Sequence, residues 1–175
     1  LRHYVVKKHT LLVCEQFEKY AFAFDNKCMN MDLMRLVLAI HDIGKAIDRS
    51  TQHEHTLSLV RELWENTPFT EHEFNLVEVL LRDDHLGSYF QNKYELSDLK
   101  EEIVANATEL KMSPSILLQY KMILYQCDIA SYTKDAGGLK YLEHMFVYEN
   151  GEKAFDEENG IIAMSEEDRK STRLN

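Results

Sequence analysis

The chain has 175 residues, is 45% hydrophobic, and carries 30 acidic against 20 basic side chains, for a formal net charge of −10. That length suits one domain with a real core, and the apolar content excludes a disordered chain. The acidity argues against non-specific binding to DNA or RNA, where Lys and Arg must displace phosphate counterions, and no apolar run approaches the roughly 18–20 residues that cross a bilayer.

Only two prolines and six glycines interrupt the chain, and that scarcity of breakers predicts helices. The first spans about residues 3–24. Its opening, LRHYVVKKHTLLVCEQ, is broken by Lys7, Lys8, His9 and Glu15 and so does not read as a secretory signal. A second helix runs from Met31 or Asp32 to about Ala39, with Asn30 and Asp32 as candidate caps. Thr51 and Glu54 have capping-box spacing at the head of a third helix, about 52–66, which ends before Pro68. Thr70 and Glu73 repeat that spacing and open a fourth, about 71–84. Gly87 marks a stop or bend, and Ser97 starts a fifth helix, about 98–111. Ser113-Pro114 opens a sixth, about 114–134. Gly137-Gly138 breaks it before a short amphipathic piece at about 139–147.

Residues 160–164, GIIAM, read as a short strand or as part of the tail; long alternating strands are absent. The pattern predicts an all-α domain over 1–148 and a polar, acidic, mobile tail over 149–175, whose last residues, KSTRLN, look foreign to what precedes them. Cys14, Cys28 and Cys127 form no CxxC pair and no zinc-finger spacing, which fits reduced thiols in a cytoplasmic protein.

Three places carry chemistry. His9 lies among Val5, Val6, Leu12 and Val13; His41-Asp42 closes the helix that holds Leu36, Val37, Leu38 and Ile40; Asp128 sits inside the largely apolar ILYQCDIASYT. Burying an isolated carboxylate is costly, so such a group is paired or bound to a metal. One shared cation explains all of them, since neutral imidazoles and carboxylates are a standard set for Fe, Mn, Co, Ni or Zn. Adjacent residues point about 100° apart on a regular helix. His41 and Asp42 therefore converge only if the helix ends or distorts there, and Gly44 is placed to allow it. His3, His72 and His144 read as ordinary histidines. Met29, Met31, Met34, Met112 and Met122 read as packing; Tyr125 and Tyr132, a turn either side of Asp128, line a pocket or, the better reading, pack in the core.

The order His9, His41-Asp42, Asp128, with LAIHDIGKA around the middle pair, resembles the HD-domain superfamily of metal-dependent phosphohydrolases. The resemblance covers about residues 3–135 and implies a bundle of five to seven helices around one or two divalent transition-metal ions. Carried over, His9, His41, Asp42 and Asp128 become ligands of a first ion, with Asp42 the bridge if a second is present. Lys45 matches a lysine suited to a substrate phosphate. QHEHTLSLVREL offers His53 or His55 to the second ion; His53 shares its side of the helix with Leu57, Val60 and Trp64 and is the better placed. LLRDDHLGS offers Asp84 and His85, a departure from the His-His pair common in two-ion members. Arg82 holds a phosphate or pairs with carboxylates, and Asp83 or Asp48 orients an imidazole or handles protons.

The implied activity is hydrolysis of a phosphate ester, a nucleotide or related small metabolite, by metal-activated water, with Lys45 and Asp42 as catalytic residues. Two other readings stay open: a di-iron oxygenase on nearly the same ligands, and a non-catalytic helical interaction module. The absence of a GYP triplet argues against the cyclic-di-GMP branch of the superfamily.

Overall fold

The computed structural model describes residues 6–20 and 29–132. The predicted pieces at 139–147 and 160–164, the tail over 149–175, Cys28, His3 and His144 lie outside the described residues. Within them the chain is helical throughout: α1 (Val6–Tyr20), α2 (Met31–Ile40), a 3₁₀ turn (Ile43–Ala46), α3 (Gln52–Trp64), α4 (Glu71–Leu81), α5 (His85–Phe90), α6 (Leu96–Glu109) and α7 (Pro114–Tyr132). No strand occurs among the described residues, and no helix there is long and apolar enough to cross a membrane.

α7 is the axis of the bundle. Its sequence is apolar nearly all round, as a helix surrounded by others must be. Leu117, Leu118, Ile123, Cys127 and Ala130 are buried on it. α1, α2, α5 and α6 pack against it, and α3 lies on the 3₁₀ turn and α4. The core so formed takes in Val13 and Phe17 of α1, Leu33, Met34, Val37 and Leu38 of α2, Val77 of α4, and Leu99 and Ile103 of α6.

Local chemistry sets the helix starts. Asn30 caps α2, its side chain accepting from the Leu33 N–H at 3.1 Å. Thr70 and Glu73 form a reciprocal capping box on α4. Two predicted caps differ. Thr51 makes no side-chain cap bond to α3. α6 begins at Leu96 behind Glu95, so Ser97 lies inside the first turn. Helix α5, unannounced by the sequence, starts where Asp84 Oδ1 accepts from the Gly87 N–H at 3.0 Å. Gly87 therefore does not stop a helix but makes room for that carboxylate, which a Cβ at this position would strike. α4 ends at Leu81, so Asp83 and Asp84 stand in the short link between α4 and α5.

Candidate metal centre

α2 ends at Ile40 and the backbone turns. His41 keeps helical angles (φ −53°, ψ −31°), and Asp42 leaves them (φ −109°, ψ 8°) to enter the 3₁₀ turn. The break lets two adjacent side chains face one point. Gly44 serves this corner through its missing side chain, not through an unusual backbone angle. A Cβ there would overlap the Gln52 carbonyl and come within 2.6 Å of Thr56 Oγ1. The start of α3 can thus lie directly on the turn, where the Gly44 N–H donates to Thr56 Oγ1 at 3.0 Å.

His9 of α1 and Asp128 of α7 complete the cluster. His9 Nε2 lies 2.8 Å from Asp128 Oδ1, 3.3 Å from Asp42 Oδ2 and 3.3 Å from His41 Nε2. His41 Nε2 lies 3.6 Å from both Asp42 Oδ2 and Asp128 Oδ1. Donor atoms about 2.1 Å from a shared ion stand about 3.0 Å apart in an octahedral shell and about 3.4 Å apart in a tetrahedral one. His9 Nε2, His41 Nε2 and Asp128 Oδ1 come near that spacing, and Asp42 Oδ2 stands at the side of the two imidazoles.

The far side of each imidazole fixes which nitrogen faces inward. His41 Nδ1–H donates to the Leu38 carbonyl at 2.7 Å. The Ser131 hydroxyl donates to the Asp128 carbonyl at 2.6 Å, so its oxygen accepts from His9 Nδ1–H at 2.8 Å. In the neutral form of each ring, both Nε2 atoms then turn lone pairs toward two carboxylates, the tautomer that metal-bound histidines adopt. Lone pairs facing lone pairs need a positive charge between them. Asp128 Oδ1 is buried there without a hydrogen-bond partner, which is costly unless a cation satisfies it. His9, His41 and Asp128 thus form a group that could hold a metal ion, and two carboxylates balance a divalent one.

The carboxylates also favour positive charge at this point. Burial disfavours a charged His9, but the Asp128 and Asp42 carboxylates outweigh it and lift its pKa to about 9. Burial pushes Asp128 up and Asp42 up; the His41 and His9 rings outweigh it for Asp128, and His9, His41 and Lys45 for Asp42, so both stay below the usual carboxylate range.

A cavity of about 180 Å³ opens beside the cluster, lined by His41, Asp42 and Asp128 together with Lys45, Gln52, His53, Asp83, Asp84, Lys121, Tyr125 and four leucines. Lys45 Nζ donates to Asp42 Oδ2 at 2.6 Å, placing an ammonium at the ligand cluster. His53 Nδ1–H donates to the Leu81 carbonyl at 3.0 Å, and its Nε2 lies 3.4 Å from Gln52 Nε2. His53 and Asp84 therefore share this cavity, whereas His55 does not line it. Asp84 opens onto the cavity, where the protein packed around its carboxyl and the nearby Asp128 and Asp83 charges raise its pKa.

His85 points elsewhere. It stacks on Tyr94 with centroids 4.4 Å apart and donates to Glu102 at 2.6 Å. Asp83, His85 and Glu102 form a second group that could hold a metal ion, but Lys121 Nζ already lies 3.1 Å from Glu102 and 3.5 Å from Asp83. Arg82 pairs with Asp83 at 3.3 Å and with Asn106 at 3.1 Å rather than lining the cavity. Asp48 accepts from Ser50 in an exposed loop and touches no ligand ring.

Ser131, Gln52, Glu102 and Lys121 escape a reading of the sequence. Ser131 alone leaves a trace, one turn beyond Asp128. Tyr125, predicted as packing, both packs on Phe90 at 4.7 Å and lines the cavity. Comparison with protein-family models, curated proteins and solved structures gives no match. The site itself carries the functional argument.

Proposed function

We propose that the protein is a metal-dependent phosphohydrolase of the HD type, cleaving a small phosphate ester. One observation carries the reading: an ammonium, Lys45 Nζ, stands 2.6 Å from the carboxylate that also faces the two imidazoles. Two neutral imidazoles and two carboxylates suit a divalent ion, and the added cation suits an anionic substrate beside it. A divalent ion supplies an acidified water at neutral pH and draws charge from the phosphoryl oxygens.

The chain's own residues do the rest. Lys45 pairs with a phosphoryl oxygen as charge develops there. Asp42 holds Lys45 in place and spans the space between the His9–His41 pair and the cavity. Ser131 and the Leu38 carbonyl keep both imidazoles facing inward. His53 and Asp84 offer a nitrogen and an oxygen across the cavity, the place for a second ion.

The test is direct. Purified protein is assayed for bound metal and, with and without oxygen, for phosphate release from a panel of phosphomonoesters. Phosphate release that needs added metal, proceeds without oxygen and disappears in Asp128→Asn supports the reading. A chain that binds no transition metal, or turns over only with oxygen, overturns it.

A further inference from the structure

Lys121 lies seven residues before Asp128 on α7. Seven residues bring a helix almost back to the same direction and advance it about 10.5 Å. Leu124 and Tyr125 stand between them, and all four side chains line the cavity. Along this stripe the cavity has a polar end at the ligand cluster, an apolar middle, and a second polar end at Lys121.

That second end is built. Lys121 is 5% exposed, and lysine is rarely so buried. Its Nζ donates to Glu102 Oε1 at 3.1 Å and to Asp83 Oδ1 at 3.5 Å. Glu102 is held from behind by His85 and by the Tyr94 hydroxyl at 3.3 Å. Asp83 is held by Arg82 and lines the cavity itself. Lys121 and Arg82 balance Asp83 and Glu102, so this end is close to neutral and needs no further ion. Of the three ammonium hydrogens, two are engaged, and the third has no partner among the described residues.

A donor beside an acceptor selects by hydrogen bonding. A second phosphate on the substrate would meet Asp83 and Asp84. A bare hydrocarbon would leave the third ammonium hydrogen of Lys121 unmet. The matching group is neutral and carries a donor and an acceptor on one edge, as a carboxamide or a ring lactam does. Size sets an upper limit, because a cavity of about 150 Å³ holds one benzene ring, and the whole of this one, its phosphoryl end included, has about 180 Å³.

Resting on the phosphohydrolase reading, we propose that Lys121 and Asp83 form the leaving-group end of the cavity. The substrate class is then a phosphomonoester whose alcohol part is about one ring in size and ends in a neutral donor–acceptor edge.

The probes are phenyl phosphate, 4-carbamoylphenyl phosphate and 4-carboxyphenyl phosphate. The proteins are wild type, Asp83→Asn, and the double variant Lys121→Met/Glu102→Gln, which removes one charge of each sign. The readout is the ratio of kcat/KM between esters, which cancels the folded fraction. Comparing that ratio between proteins also cancels the intrinsic reactivity of each leaving group. Wild type is expected to favour the carbamoyl ester over the phenyl ester at least tenfold more than either variant does, and to disfavour the carboxylate. A second arm needs no metal: NMR titration with 4-hydroxybenzamide and with phenol, the former binding at least tenfold tighter to wild type and losing that advantage in the variants. Hydrolysis with the same ester ratio in all three proteins overturns the subsite and leaves the hydrolase reading standing. Selective binding of the amide with no phosphate release from any ester supports the subsite and overturns the hydrolase reading.

Discussion

Replacing Gly44 by alanine tests how the metal corner is built. The new methyl would meet Thr56 Oγ1 at 2.6 Å and overlap the Gln52 carbonyl. The threonine oxygen must retreat by about 0.8 Å to reach an ordinary contact near 3.4 Å, and the carbonyl, being backbone, cannot rotate away. Overpacking of this kind costs about 1–3 kcal/mol. Straining the hydrogen bond between the Gly44 N–H and Thr56 Oγ1 adds about 1 kcal/mol. A loss of about 3 kcal/mol lowers Tm by about 6–12 °C in a chain of this size. The shift also moves Asp42, two residues earlier, against His53, next to Gln52, so metal affinity falls with stability. Thermal melts by circular dichroism, with and without added metal, measure both. Ala46→Gly, in the same turn but exposed, serves as the control and changes only backbone entropy. A Gly44→Ala protein that melts within 2 °C of wild type refutes the packing argument.

Ser131→Ala removes the acceptor that orients His9 and is expected to weaken metal binding about 10- to 100-fold with the fold intact, as read by calorimetric titration; unchanged affinity removes Ser131 from the site. In the metal-free protein, the raised His9 pKa gives stability that is whole below about 6.5 and fades as pH rises through about 9. Melts from pH 6 to 10 should decline by on the order of 1–3 kcal/mol, with a flatter profile in His9→Gln. The depressed Asp42 and Asp128 act on the acid side: their contribution is present above the ordinary carboxylate range and is lost as pH falls through their lower folded values. Thr70→Ala breaks a complete capping box and should cost about 0.5–2 kcal/mol in denaturant titration. Thr51→Ala, which loses no cap bond, should cost measurably less.

Much of the helical order is written locally. Asn30, Thr70 and Pro114 mark starts that depend on residues within one turn, and a reader of the sequence finds them. α5 stays hidden because its six residues are too few to show periodicity, its cap is an aspartate in a charged run, and Gly87 looks like a breaker. The end of α6, expected at about 111 and found at Glu109, carries no glycine signal, because Lys111 takes the left-handed angle (φ 53°) itself. The site divides along the same line. His9, His41, Asp42 and Asp128 stand out because each is a polar residue among apolar neighbours. Lys121 also sits in an apolar helix, but its meaning depends on Glu102 and Asp83, which only the folded chain brings near. His85 looks in sequence like a partner of Asp84, yet the start of α5 sends the two side chains to different neighbours: the cavity for Asp84, Tyr94 and Glu102 for His85.

His9 and Ser131 touch across 122 positions of the polymer. An ion gripped by His9 and Asp128 would fasten α1 to α7 and close nearly the whole described chain into one ring. Cross-links spanning about 100 residues restrict the unfolded ensemble by about 4–5 kcal/mol in the chain-entropy treatment. Chelation would then do more than silence the centre. It would free α1 from α7, and limited proteolysis would find its first new cuts in α1.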